Sequence, residues 1–129
     1  MKYSKQRELI RDYVKSVKTH PTAEIVYQEL RKKKEDISLG TVYRNLDQLS
    51  QAGELLRIKL ANTKDRFDGD VSHHYHAICT ECGSIEDIFC DYLTEVDHKI
   101  ASYTDSTIVS HEMIFHTICK NCKKLKEEL

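Results

Sequence analysis

Apolar residues recur every three or four positions from Tyr3 to Val17, which sets Leu9, Ile10, Tyr13, Val14 and Val17 along one side of a helix. His20-Pro21-Thr22 breaks that period, because Pro21 disfavours helical backbone at His20. Thr22 is placed to cap a second helix bearing Ala23, Val26, Tyr27 and Leu30. The run Arg31-Lys32-Lys33-Lys34-Glu35-Asp36 reads as its solvated end. Ser38 is placed to cap a third helix with Leu39, Val42, Leu46 and Leu49 on its apolar stripe and Gly53 as its stop. The period then shortens to two. Leu56, Ile58 and Leu60 alternate with Arg57 and Lys59, and Asn62-Thr63-Lys64-Asp65 reads as a turn into a second strand. Three short helices followed by a hairpin predict a winged helix.

Beyond the hairpin, Ser84 to Phe89 reads as a strand, and Leu93, Val96, Ile100 and Tyr103 mark a helix face. Thr107 to Ile118 reads as a long strand ahead of a Lys-rich tail from Lys123 that is either a short helix or disordered. A chain of 129 residues has room for one domain or two small ones. The predicted class is α+β, with a winged-helix domain over 1–66 and a small α/β domain over 67–129.

Charge divides at the same place. Residues 1–66 hold 15 Lys/Arg and 9 Asp/Glu, a net of +6, whereas residues 67–129 hold 5 and 12, a net of -7. A basic half suits a polyanion, and an acidic half rich in His and Cys suits cations. No apolar run approaches the ~18 residues of a spanning helix. The charged opening residues lack the apolar segment of a secretory signal, so a cytoplasmic location and reduced thiols are expected, with no membrane partner.

In a winged helix the third helix enters the major groove by its N-terminal part. Thr41, Tyr43, Arg44 and Asn45 are the candidates there. Arg can grip guanine, Asn can pair with adenine, and Tyr can pack on a thymine methyl or donate to phosphate. Tyr43, beside the apolar stripe, fits a core position equally well.

Two kinds of ligand pattern occupy the acidic half. Cys79-Thr80-Glu81-Cys82 and Cys119-Lys120-Asn121-Cys122 are C-x2-C knuckles 36 residues apart. Together they supply the four thiolates of a structural Zn(II) site. Each knuckle alone also fits a redox dithiol or a disulfide, but two in a reducing compartment favour zinc. The other pattern is Asp68, His73-His74-Tyr75-His76 and Asp87. In extended chain His74 and His76 share a side while His73 and Tyr75 face elsewhere. A hinge that brings His20 to them completes a set of three nitrogens and two carboxylates, His20, Asp68, His74, His76 and Asp87, which suits Fe(II) or Mn(II). Cys90 is left over, either a buried small hydrophobe or a redox-sensing thiol.

The set His20-Pro21-Thr22-Ala23, Gly40-Thr41-Val42-Tyr43-Arg44-Asn45-Leu46, Arg66-Phe67-Asp68 and His74-Tyr75-His76-Ala77-Ile78-Cys79-Thr80-Glu81-Cys82-Gly83, with the second knuckle, resembles the ferric uptake regulator family of bacterial metal-dependent repressors. The resemblance spans nearly the whole chain. It implies a homodimer whose C-terminal α/β domain dimerises, a regulatory metal at the hinge, and palindromic double-stranded operator DNA as partner. Asp68 and Asp87 resemble the peroxide-responsive branch, in which Fe(II)-catalysed oxidation of His20 or His74 releases the DNA. Iron-uptake repressors, with Fe(II) as corepressor, tend to carry Glu at such positions, and they are the alternative. Arg7 matches a family arginine and joins the DNA-contact candidates, although Ser4-Lys5-Gln6-Arg7 lacks the proline usual there. Tyr75 stands where an acidic ligand is common, which argues against a further site built from His73, Glu95 and His111.

Other classes fit less well. A metal hydrolase would use the His/Asp cluster, yet the chain has no H-E-x-x-H motif and no evident nucleophile and base. A thiol redox protein would use a knuckle and bind no specific DNA. The expectation is a regulator, not an enzyme.

Overall fold

The computed structural model describes residues 4–61 and 63–128. Tyr3, at the start of the first expected helix, and Asn62, in the expected turn, lie outside the described residues. The chain forms two compact units, one running to Val71 and the other starting at Ser72.

The first unit is built on α1 (Lys5–Ser16), α2 (Ala23–Lys32) and α3 (Leu39–Gln51). Each helix starts where a hydroxyl can satisfy an otherwise orphan backbone donor. Ser4 accepts from Arg7 N, Thr22 from Ile25 N and Ser38 from Thr41 N. Gly53, at φ 76, lets the chain leave α3 in a left-handed turn, and Glu54 N then donates to Leu49 O at 3.0 Å. The inward faces interlock as Ile10 and Val14 from α1, Val26 and Leu30 from α2, and Val42, Leu46 and Leu49 from α3. Burying each of these stabilises the unit by roughly 1.5–3 kcal/mol before conformational entropy is counted.

The wing is shorter than the alternation suggests. β1 (Leu56–Ile58) pairs antiparallel with β2 (Arg66–Asp68), Leu56 opposite Asp68 and Ile58 opposite Arg66, and Leu60 lies past the end of the strand. β2 belongs to this ladder and Phe67 joins the helical core, so both lie in the unit that runs to Val71. Gly69 is pressed onto the last turn of α1. A Cβ there would fall 2.5 Å from Lys15 Cα, and Lys15 Nζ donates to Gly69 O at 3.1 Å.

The second unit is a three-stranded sheet in the order β4-β3-β5. Central β3 (Tyr75–Cys79) runs antiparallel to β4 (Ile85–Ile88) and parallel to β5 (Ile114–Thr117). α4 (Thr94–Ala101) and α5 (Lys120–Glu127) complete it, so the Lys-rich tail is helical. The long strand expected from Thr107 to Ile118 is confined to Ile114–Thr117. β3 offers five residues to pair with, and 104–113 is irregular, with Val109 90% exposed. α4 contains no buried residue, and Ile100 and Tyr103 of its expected face are exposed.

Candidate functional site

The four cysteines of the knuckles converge at one end of the second unit. Cys79 ends β3, Cys82 lies in the turn to β4, and Cys119 caps α5, its Sγ accepting from Cys122 N at 3.5 Å. Their sulfurs all lie within 4.8 Å of one another, and Cys82 Sγ is 3.8 Å from Cys119 Sγ. A tetrahedron with Zn–S bonds of about 2.3 Å has edges of about 3.8 Å, so this donor set fits Zn(II), and with four protein sulfurs it is closed to substrate.

Electrostatics favour a cation here as well. Cys119 N donates to Cys79 Sγ at 3.3 Å and Glu81 N at 3.4 Å. These backbone donors, that of Cys119 foremost, bring the Cys79 thiol down to about 6. Hydrogen bonding to the Cys119 sulfur pushes Cys122 up to about 12. Four crowded sulfurs cannot all ionise by themselves, and a divalent cation removes that conflict.

The histidines and aspartates form a pair of smaller constellations, one in each unit. In the first, buried His20 has Nε2 3.3 Å from Asp68 Oδ2, and Asp70 N donates to Asp68 Oδ1 at 2.9 Å. His20 adopts φ 53, a left-handed conformation costly for a non-glycine residue. The loop is held in place by Arg66, which donates to His20 O and, at 3.0 Å, to Thr19 O, and by Phe67 N, which donates to Pro21 O at 3.0 Å. Arg66 was visible in sequence only as part of a motif. Its role required knowing that β2 runs beside the loop.

In the second unit, the β3–β4 register sets His76 opposite Asp87, with Nε2 3.3 Å from Asp87 Oδ1. His74, just before β3, approaches the same oxygen at 3.0 Å through Nε2, while its Nδ1 lies 2.7 Å from Ser72 O. A carbonyl can only accept, so Nδ1 carries a proton, and whenever Nε2 carries none it turns a lone pair toward the carboxylate oxygen. Two acceptors in that arrangement fit a cation between them, and the Ser72 carbonyl orients the ring as a partner behind a metal ligand does.

His111 is committed elsewhere. Its Nε2 is 2.6 Å from the Tyr75 hydroxyl and its Nδ1 is 2.6 Å from Asp97 Oδ1. The Tyr92 hydroxyl donates to the other Asp97 oxygen and accepts from His111 N at 3.0 Å. The Tyr92 and His111 hydrogen bonds hold the Asp97 carboxyl below its ordinary range. Both ring nitrogens of His111 are thus used, His73 packs edge-on against Tyr75 and Tyr92, and Glu95 is exposed. This network gave no signal in sequence beyond the Tyr at position 75. Cys90 is exposed, which removes its reading as a buried hydrophobe.

The candidate nucleic-acid residues separate into two sets. Tyr43 and Arg44 are exposed and Thr41 half-buried on one side of α3. Tyr43 is therefore not a core residue. Arg7 and Asn45 are buried instead, with Arg7 Nε donating to Asn45 Oδ1 at 3.1 Å and Nη2 to Gln48, while Asn45 Nδ2 donates to Thr41 O at 2.8 Å. Here α1 packs on α3 and turns the polar ends of both inward, toward each other.

A family model described as the ferric uptake regulator family matches residues 1–116. The chain belongs to the ferric uptake regulator family. Within that family it is 36% identical over 119 residues to the peroxide-responsive repressor PerR of Staphylococcus epidermidis, the match covering 92% of this chain and 79% of the relative. The fold is similar to that of the Campylobacter jejuni peroxide stress regulator, with a TM-score of 0.72, 30% identity and coverage of 91% and 88% of the two chains. It is also similar to the Helicobacter pylori ferric uptake regulator, whose structure is described as revealing three functional metal-binding sites. There the TM-score is 0.79, the identity 26% and the coverage 95% and 83%. Membership of the ferric uptake regulator family makes the protein a metal-dependent regulator and not an enzyme. Among the described residues no helix is long and apolar enough to cross a membrane.

Proposed function

We propose that the protein is a homodimeric repressor that binds palindromic operator duplex when Mn(II) or Fe(II) is held by His20, Asp68, His74, His76 and Asp87, and that peroxide relieves repression. The observation that carries this reading is the His74 geometry, a ring fixed through Ser72 with its second nitrogen turned to Asp87. That both carboxylates are aspartates and that PerR relatives match over most of the chain support the peroxide branch.

Each unit contributes preformed ligands, so one metal spanning them would restrict the hinge and fix the angle between DNA-binding units. Thr41, Tyr43 and Arg44 would face the bases, with Cys79, Cys82, Cys119 and Cys122 holding Zn(II) as a clamp. The outer edge of β5, with Phe115 exposed in the strand and Ile118 exposed just after it, and the uncovered side of α4 favour a second copy as the dimer partner.

A ferrous ion, when bound, supplies the electron that splits the O–O bond of peroxide. His20 and His74 present ring carbons beside their ligating nitrogens, and one oxygen added to either ring would weaken its donor and release the hinge.

The test uses protein loaded separately with Fe(II) and Mn(II) under anaerobic conditions and a duplex selected from a random pool by the Mn(II) form. Brief peroxide exposure should release the duplex from the Fe(II) form only, with a single added oxygen on His20 or His74 by mass spectrometry. Equal release from both forms, or oxygen on cysteines alone, would overturn the peroxide mechanism and leave an iron-responsive repressor.

A further inference from the structure

Glu24 is a carboxylate within residues 1–66, whose net charge of +6 suits a polyanion. It lies in the first turn of α2, where the helix N-terminus favours negative charge. From there it joins three elements of the first unit. It accepts the Tyr43 hydroxyl from α3, and its other oxygen is 3.2 Å from Lys64 Nζ in the segment between β1 and β2. Tyr43, which precedes Arg44 in α3, is 46% exposed and Lys64 about two-thirds exposed, so both would otherwise be mobile side chains.

A negative charge at this place acts in two ways. It occupies the hydroxyl proton of Tyr43 and the charge of Lys64, the two groups nearest it that would otherwise seek phosphates of any sequence. It also opposes the approach of the phosphate backbone, the term that supplies essentially all non-specific affinity. Contacts made to base edges lose less, because they depend on position more than on net charge.

We propose that Glu24 is a positioning residue for sequence discrimination: by tying Tyr43 and Lys64 to α2 it weakens binding to arbitrary duplex and fixes the surface that reads the operator. The proposal rests on the reading of the protein as a DNA-binding regulator.

The experiment uses full-length, Mn(II)-loaded protein, the duplex selected by the wild type from a random pool, and a scrambled duplex of equal composition, each across a salt series. In E24Q, which keeps an acceptor but no charge, affinity for scrambled duplex should rise severalfold. Its log–log salt slope should steepen by about one as Lys64 becomes available to phosphate, so the ratio of selected to scrambled affinity falls. In E24A, loss of affinity for the selected duplex should be non-additive with Y43F, the double variant binding no worse than Y43F alone.

A readout without DNA follows the tie itself. The hydrogen bond to Glu24 raises the Tyr43 hydroxyl above its ordinary value, so ring-carbon NMR, assigned with Y43F, should show Tyr43 titrating lower in E24A than in the wild type. An unchanged affinity ratio in E24Q together with additive losses in E24A and Y43F overturns the proposal while the DNA-binding reading stands. If the wild type selects no duplex at all, that reading fails and the proposal with it, whatever Tyr43 does on titration.

Discussion

Arg7 shows how a single side chain that satisfies a family pattern can also hold two helices together. Arg7 is 8% exposed, and its guanidinium is shared between Asn45 and Gln48 of α3. Truncation would leave the side-chain acceptors of Asn45 and Gln48 without their donor in a poorly hydrated place, a loss of about 1–3 kcal/mol. R7A should therefore lower the urea midpoint of the first unit, whereas R44A, on an exposed residue, should leave that midpoint within about 0.5 kcal/mol of the wild type and weaken operator binding. Equal stability of R7A and wild type by denaturant titration would return Arg7 to the surface candidates. Sequence could show that position 7 carries a long cation; which way it pointed depended on the packing of α1 against α3. The metal-type residues were more legible, since C-x2-C and H-x-H spacings carry their geometry with them. Asp97, Tyr92 and His111 were not, because their association depends on chain folded between positions far apart.

At the scale of elements, local signals and pairing signals were legible to different degrees. The three helices of the first unit were readable because caps, period and stop all act within a few residues, and the Thr22 and Ser38 caps and the Gly53 stop are where the sequence placed them. The strand expected over Thr107 to Ile118 was overextended because β-propensity says nothing about the length of the partner, and β3 has five residues. The metal cluster is itself an element-scale device, since Cys79 and Cys82 border the β3–β4 turn and Cys119 and Cys122 start α5. C119S should lose zinc and, with it, the attachment of α5, measurable as metal content and far-ultraviolet helicity; a variant that keeps both would contradict the assignment.

The pH response of the same cluster follows from Cys79. Its thiol lies at about 6, below the ordinary 9.0, so the ionised form is favoured in the folded chain. Stability from this group is present above the ordinary value and declines as pH falls toward 6. A bound cation lowers that point further. Zinc should thus be retained at neutral pH and released to a colorimetric chelator only well below pH 6, with uptake of protons.

At the scale of the whole molecule, the two units are opposed in charge and in the distance over which their contacts are made. The first is a helical unit with a short wing, its ladder joining Ile58 to Arg66. The second depends on a parallel pairing in which Cys79 faces Thr117, 38 residues further along the chain. That difference has a kinetic consequence. Joining β3 to β5 requires closing a loop whose entropy costs roughly 3 kcal/mol by the logarithmic chain-length relation, before any parallel hydrogen bond forms in return. The knuckles stand at the ends of that loop, so metal captured by Cys79 and Cys82 can recruit Cys119 and Cys122 and close it ahead of the sheet. Refolding of the second unit should then be several times faster when zinc is present from the first moment than when it is withheld by chelator, while the helical unit refolds at one rate in both. Stopped-flow tyrosine fluorescence, with the signal of each unit identified by Y27F and Y92F, measures the two rates, and equal rates for the second unit with and without zinc would show that the strands meet before the metal does.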